Sequence, residues 1–163
     1  MEAMMAKRFL RELADHLSAN GVTAEFHVTG ETTAFDQVLF QLDDEGKLIG
    51  SVGLLPGVSP SVLQVFVPLP VAVPKQRVNQ VARTVCAING MLPLTGFEFT
   101  EQAEVPLTFR ALSPKLGAEW QLTPVTQSLA QMLELLGRFI PVLVGVADGD
   151  FDYKAARKRL AEV

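Results

Sequence analysis

Apolar residues recur at helical spacing from the first turn of the chain. Over residues 3–19, Phe9, Leu10, Leu13, Ala14 and Leu17 follow the i, i+3, i+4, i+7 rule, while Lys7, Arg8, Arg11, Glu12 and Asp15 fall largely elsewhere. Asn20-Gly21 supplies a C-terminal stop, because both residues tolerate left-handed dihedrals. The period then changes to two. TAEFHV sets Ala24, Phe26 and Val28 on one face, DQVLFQL sets Val38, Phe40 and Leu42 together, and KLIGSVGLL groups Leu48, Gly50, Val52 and Leu54. SVLQVFVPL is rich in β-branched and aromatic residues. The runs are separated by GETT, DDEG and PGVSP, turns of hairpin length, which imply an antiparallel sheet of about four strands.

The pattern changes again at PLPVAVP. Pro68, Pro70 and Pro74 favour an extended connection over a central strand, and Pro74 suits the first turn of a helix. From Lys75 the spacing of Val78, Val81, Ala82, Val85, Ile88 and Met91 predicts a second helix. Its β-branched filling lowers helix propensity, so packing must stabilise it. Asn89-Gly90 and Pro93 end it. GFEFTE and VPLTFRALS read as a strand pair joined by EQAE, and Pro106 predicts an edge or a bulge for the second strand. Thr123 and Pro124 predict the start of a third helix with Leu129, Met132, Leu133, Leu136, Phe139, Ile140 and Leu143 on its apolar face. Pro141 predicts a kink or an end to its regular part. The tail after Gly149 predicts a short helix capped by Asp150.

The resulting order is α-β-β-β-(β)-α-β-β-α, with a candidate short C-terminal helix. This is an α+β fold with an antiparallel sheet packed by helices. Residues 1–163 form a single domain in this reading, with 150–163 as a candidate C-terminal appendage; no repeat or linker divides them. The helix at 75–91 and the Leu-rich helix at 124–146 carry more apolar surface than one sheet face covers. Met132, Leu135, Leu136, Val142 and Leu143 are therefore the candidate interface, and a homodimer is expected. Cover by the Pro-rich segment or the tail helix is the alternative within one chain.

Composition narrows the function classes. The net charge of −4 weighs against nucleic acid as the main partner. The N-terminus lacks the layout of a signal peptide, and FIPVLVGVA at 139–147 is too short to span a bilayer, so no membrane association is expected. Cys86 is the only cysteine, which excludes an internal disulfide and fits a reducing cytoplasm. Its place in the apolar pattern of the second helix predicts a small buried thiol without a nucleophile's role. His16 and His27 have no companions at metal-ligand spacing. Asp148, Asp150 and Asp152 match the first positions of an EF-hand loop. Tyr153 stands where that loop needs Gly and Arg159 where it needs Glu, so capping is the expected role. Gly50, Gly53 and Gly57 form no phosphate-binding loop and are expected to serve close packing and a turn. Lys154, Arg157, Lys158 and Arg159 read as a solvated helix face that suits the helix dipole. No catalytic constellation emerges, so no enzyme activity, cofactor or metal is expected.

Over residues 75–147 the chain resembles the YbjN family, which has the type III secretion chaperone-like fold. The likeness is carried by a helix ending in Asn89-Gly90, then LPLTGFEF, VPLTFRALS, an LTP helix start and RFIPVLVG. The resemblance implies a small bacterial cytoplasmic homodimer without catalytic activity, linked to stress regulation. It also implies a chaperone-like or regulatory module that binds a client protein through hydrophobic surface or a sheet edge. The competing expectation is an enzyme or small-ligand-binding protein whose site is assembled from scattered residues, marked by a deep pocket.

Overall fold

The structure, a computed structural model, describes residues 2–29, 36–43, 46–54, 62–92, 95–100, 106–115 and 119–162. Its elements are α1 (Glu2–Ala19), β1 (Ala24–His27), β2 (Gln37–Gln41), β3 (Ile49–Gly53), β4 (Val62–Leu69), α2 (Val78–Asn89), β5 (Thr95–Phe99), β6 (Leu107–Pro114), α3 (Leu122–Asp148) and α4 (Tyr153–Leu160). A 3-10 turn at Lys75–Arg77 leads into α2. The six strands form one antiparallel sheet in the order β1-β2-β3-β4-β6-β5, so the α+β reading and its element order hold. The chain divides into two compact units, Met1–Val67 with Ala111–Leu129, and Pro68–Arg110 with Ala130–Val163.

In the first unit the period-two pattern produces the observed register. Val38 pairs with Val52, which in turn pairs with Val65, and Phe40 pairs with Gly50. Val38, Phe40, Val52, Leu63, Val65 and Val67 are buried, as are Ala6, Phe9, Leu10, Leu13 and Ala14 along one side of α1. Gly50 is required here: an added Cβ would lie 2.6 Å from the Phe40 ring. The ring of Phe9 stacks on Trp120 at 5.7 Å. As the Asn20-Gly21 pair predicts, α1 ends in a left-handed residue, with Gly21 at φ 83° and Val22 N donating to Leu17 O.

In the second unit Phe97 meets Phe109 at 5.1 Å and Phe139 at 6.4 Å, both edge to face. The helix stop and aromatic strand at residues 88–99 have a common purpose. Asn89, the last residue of α2, accepts a hydrogen bond from Phe97 N and donates to Phe97 O, each at 2.8 Å. One carboxamide thus occupies both main-chain groups of Phe97 on the edge strand β5 as a neighbouring strand would. Gly96 permits the approach, since a Cβ there would sit 3.0 Å from Asn89 Oδ1.

Several expectations need correction. Pro68 lies inside β4, an interior strand. The pairing of β4 with β3 ends at Phe66, so no β3 residue is paired with this proline. β6 is also interior, and β5 is the edge. Pro106 precedes β6 and still accepts from Thr100 N through its carbonyl. α3 begins at Leu122, which places Thr123 inside the helix, and it continues through Pro141 to Asp148. The cap of α4 is Asp152, whose side chain accepts from Ala155 N at 2.8 Å, and not Asp150. α2 ends before Met91, which is exposed.

Candidate functional site

Two surfaces stand out among the described residues, one in each unit. The first is the face of the sheet opposite the buried one. Side chains alternate across a strand, so the partners of the core residues define it. The register aligns Leu39 with Ser51 and Ser51 with Phe66. Gln37 is aligned with Gly53 and Gly53 with Gln64, and Gln41 with Ile49. On β6, Leu112 alternates with buried Ala111 and Ser113. Ile49 is 44% and Leu112 45% exposed, and Leu39, Ser51, Val62 and Phe66 are half-buried. None of these β2, β3 and β4 residues carries a formal charge. On β1, Glu25 lies opposite Leu39 and His27 opposite Gln37, the two side chains 3.4 Å apart; on β6, Arg110 has the strand parity of Leu112 and pairs with Glu98 of β5 at 3.0 Å. Gln37 and Gln64 are buried, and a Cβ on Gly53 would lie 2.6 Å from the Asp36 carbonyl oxygen and 3.1 Å from Gln37 Cβ, so the glycine permits close approach of β2. Over β2, β3 and β4 the surface is uncharged and partly apolar, with charged side chains on β1 and β6.

The second surface is a groove between α2 and α4. Ala82, Arg83, Cys86 and Ala87 recur at one-turn spacing on α2, and Tyr153 and Arg157 face them from α4. Two shallow, open cavities of about 410 and 480 Å³ share Arg83, Tyr153 and Arg157; the second also takes in Gln80, Asp152 and Lys154. The ring of Tyr153 organises the groove. Arg83 Cζ lies 4.2 Å from its centroid, and Arg157 Nη1 reaches its hydroxyl at 3.5 Å. Gln80 Oε1 accepts from Tyr153 N at 2.8 Å, which ties the start of α4 to α2. Behind the groove, Arg159 covers the Phe151 ring at 4.2 Å, and that ring packs against Gly145 of α3.

Cys86 is exposed in this groove, contrary to the buried thiol expected. Val85 and Ile88 are buried, and Cys86 falls between them on the outer side of the turn; adjacency along the chain misplaced it. The basic tail residues divide. Lys154 and Arg157 line the groove, whereas Arg159 lies on Phe151. Asp152 caps α4, and no group of three or more His, Cys, Asp or Glu residues is arranged around a metal position among the described residues. Gly50 and Gly53 serve close packing as read, and Gly57 lies outside the described residues.

The candidate interface residues on α3 are placed differently from the expectation of a free apolar stripe. Met132, Leu136, Val142 and Leu143 are buried within the chain, and Leu135 is half-buried. The outer side of this helix carries exposed Leu133 and the ion pair Glu134–Arg138. Taken whole, α3 has 27 residues and is long and apolar enough to cross a membrane by length and composition, a length that the 139–147 segment alone conceals. Its Leu129, Met132, Leu136, Phe139, Leu143 and Val146 side chains are buried in the protein. No protein-family model matches the chain, and no curated protein matches it.

Proposed function

We propose that the protein is a non-enzymatic binding module that holds a partner polypeptide on the open sheet face of β2, β3 and β4, in a chaperone-like or regulatory role. The observation that carries this reading is the distribution of charge and exposure on that face. Solvated faces of antiparallel sheets ordinarily carry polar residues in alternation with core residues. Here Leu39, Ile49 and Phe66 stand among glutamines and a serine, and the charged side chains lie on the flanking strands, Glu25 on β1 and the Arg110–Glu98 pair of β6 and β5. Interfaces have this anatomy, with a centre poor in charge and a polar border. The edge at β5 supports the same choice of surface. Asn89 already occupies the main-chain groups of Phe97, so strand addition there would have to displace it. The element order and the antiparallel sheet are those of the YbjN-like, type III secretion chaperone-like reading, and a cytoplasmic location and a homodimer belong to the same proposal.

The test compares the wild-type protein with an Ile49→Glu/Leu112→Glu variant. Both side chains are exposed, so the change leaves folding within about 1 kcal/mol. A polypeptide that co-purifies with the wild type and is lost from the variant supports the reading. Equal recovery by both proteins refutes it. Light scattering reads the homodimer: a mass near twice 17.7 kDa that falls to 17.7 kDa in the variant assigns this face to a second copy.

A further inference from the structure

We infer that the α2–α4 groove is a docking site for an acidic, extended peptide segment. The inference rests on the reading of the protein as a polypeptide-binding module and names the chemistry of a second contact. Three cations, Arg83, Lys154 and Arg157, line one open channel. None of them has a carboxylate within ion-pair distance among the described residues, although Arg8, Arg110 and Arg138 do. Arg83 and Arg157 are held on two aspects of the same tyrosine, a like-charge arrangement that an anion would relieve. The chain as a whole carries −4, so this positive patch runs against its average charge and offers local complementarity to an acidic partner. The one acid in the channel, Asp152, is committed to Ala155 N as the cap of α4.

The form of the site selects among anions. A compact phosphate prefers clustered backbone N–H groups. At the start of α4 two of those donors are already used, since Gln80 takes Tyr153 N and Asp152 takes Ala155 N. What remains are side-chain cations spread over two helices, beside a floor of Ala82, Ala87 and the Tyr153 ring. Separated carboxylates on an extended chain match that spread. Glutamate methylenes can lie on the alanines and the ring while their carboxylates reach Arg83 and Arg157. The shallowness of both cavities fits a segment laid along the surface rather than an enclosed small molecule.

Cys86 provides the readout, because it is the only cysteine and lines the groove. Its alkylation rate with neutral iodoacetamide is measured on the full chain, alone and with a Glu-rich peptide, a Gln-rich peptide of equal length, or inorganic phosphate. Anisotropy of the fluorescein-labelled Glu-rich peptide is measured in parallel. The Glu-rich peptide is expected to bind, to slow alkylation, and to lose affinity as salt rises. Arg83→Ala and Arg157→Ala are each expected to weaken it about five-fold, as for loss of one partly screened charge pair. Arg157→Lys, which keeps the charge, should retain most of the binding and controls for loss of fold. Equal protection by the Gln-rich peptide or by phosphate overturns the inference, as does binding unchanged in an Arg83→Ala/Arg157→Ala variant. The Ile49→Glu/Leu112→Glu comparison is read at the other surface, so failure of the groove leaves that result standing and the two outcomes remain distinguishable.

Discussion

Replacing Asn89 by Ala removes the two hydrogen bonds that cover the β5 edge at Phe97. Both are 2.8 Å long and half-buried, between neutral amides. Bonds of this kind contribute about 0.5–1.5 kcal/mol each to net stability, so their joint loss costs about 2 kcal/mol. Water can reach a half-buried edge, which keeps the cost below the full desolvation penalty of two orphaned groups. Alanine at the last position of α2 returns about 0.5 kcal/mol of helix propensity, too little to cancel the loss. The expected net change is about 1.5 kcal/mol, a fall in Tm of roughly 3–6 °C for a domain of this size. Urea unfolding followed by circular dichroism measures it, and amide exchange localises it, with Phe97 N–H expected to exchange about ten-fold faster or more. Asn89→Asp keeps the acceptor for Phe97 N but sets a carboxylate against Phe97 O, so it should be no more stable than the alanine variant at neutral pH. A stability within about 0.5 kcal/mol of wild type, with unchanged exchange at Phe97, would refute the clamp.

Gly50→Ala places a Cβ 2.6 Å from the buried Phe40 ring and should destabilise by about 1–3 kcal/mol, outweighing the gain from a stiffer unfolded chain; Phe40→Leu in the same background should recover part of that loss in urea titration. Cys86 is exposed, so the native protein should take up one equivalent of a neutral thiol reagent, and Cys86→Ser should unfold within about 0.5 kcal/mol of wild type; native-state resistance to the reagent would contradict the placement of its side chain.

Much of the fold was legible because periodicity reports burial directly. The α1 stripe from Phe9 to Ala14 and the alternations around Val38 and Val52 appear in the structure as read. The errors arise where a local rule met a tertiary circumstance. The prolines predict that Pro68 is barred from an interior strand, yet the ladder with β3 stops two residues earlier, which no local pattern reveals. Asp150 and Asp152 are equally good caps by type, and only the path after left-handed Gly149 selects the second. Cys86 was assigned to the core from its neighbours along the chain, although Val81, Thr84, Val85 and Ile88 already mark the buried side of α2. The candidate surfaces were harder still. The open sheet face requires the register, and the groove unites Arg83 of α2 with Tyr153 and Arg157 of α4, residues about 70 positions apart that no spacing rule links. One signal was available in hindsight: Leu39 breaks the polar side of DQVLFQL, and the structure places it on the open face.

The central claim, that the open sheet face holds a partner polypeptide, is tested most directly by site-specific photo-crosslinking. A benzoylphenylalanine is placed at Ile49, at Leu112, or at the exposed position Arg138 on α3, and each full-length protein is irradiated in its native cell. The account predicts a discrete polypeptide adduct from positions 49 and 112 and none from position 138, with the adduct mass showing whether the occupant is a second 17.7 kDa copy or a different protein. No adduct from either sheet position, or the same adduct from position 138, would contradict it.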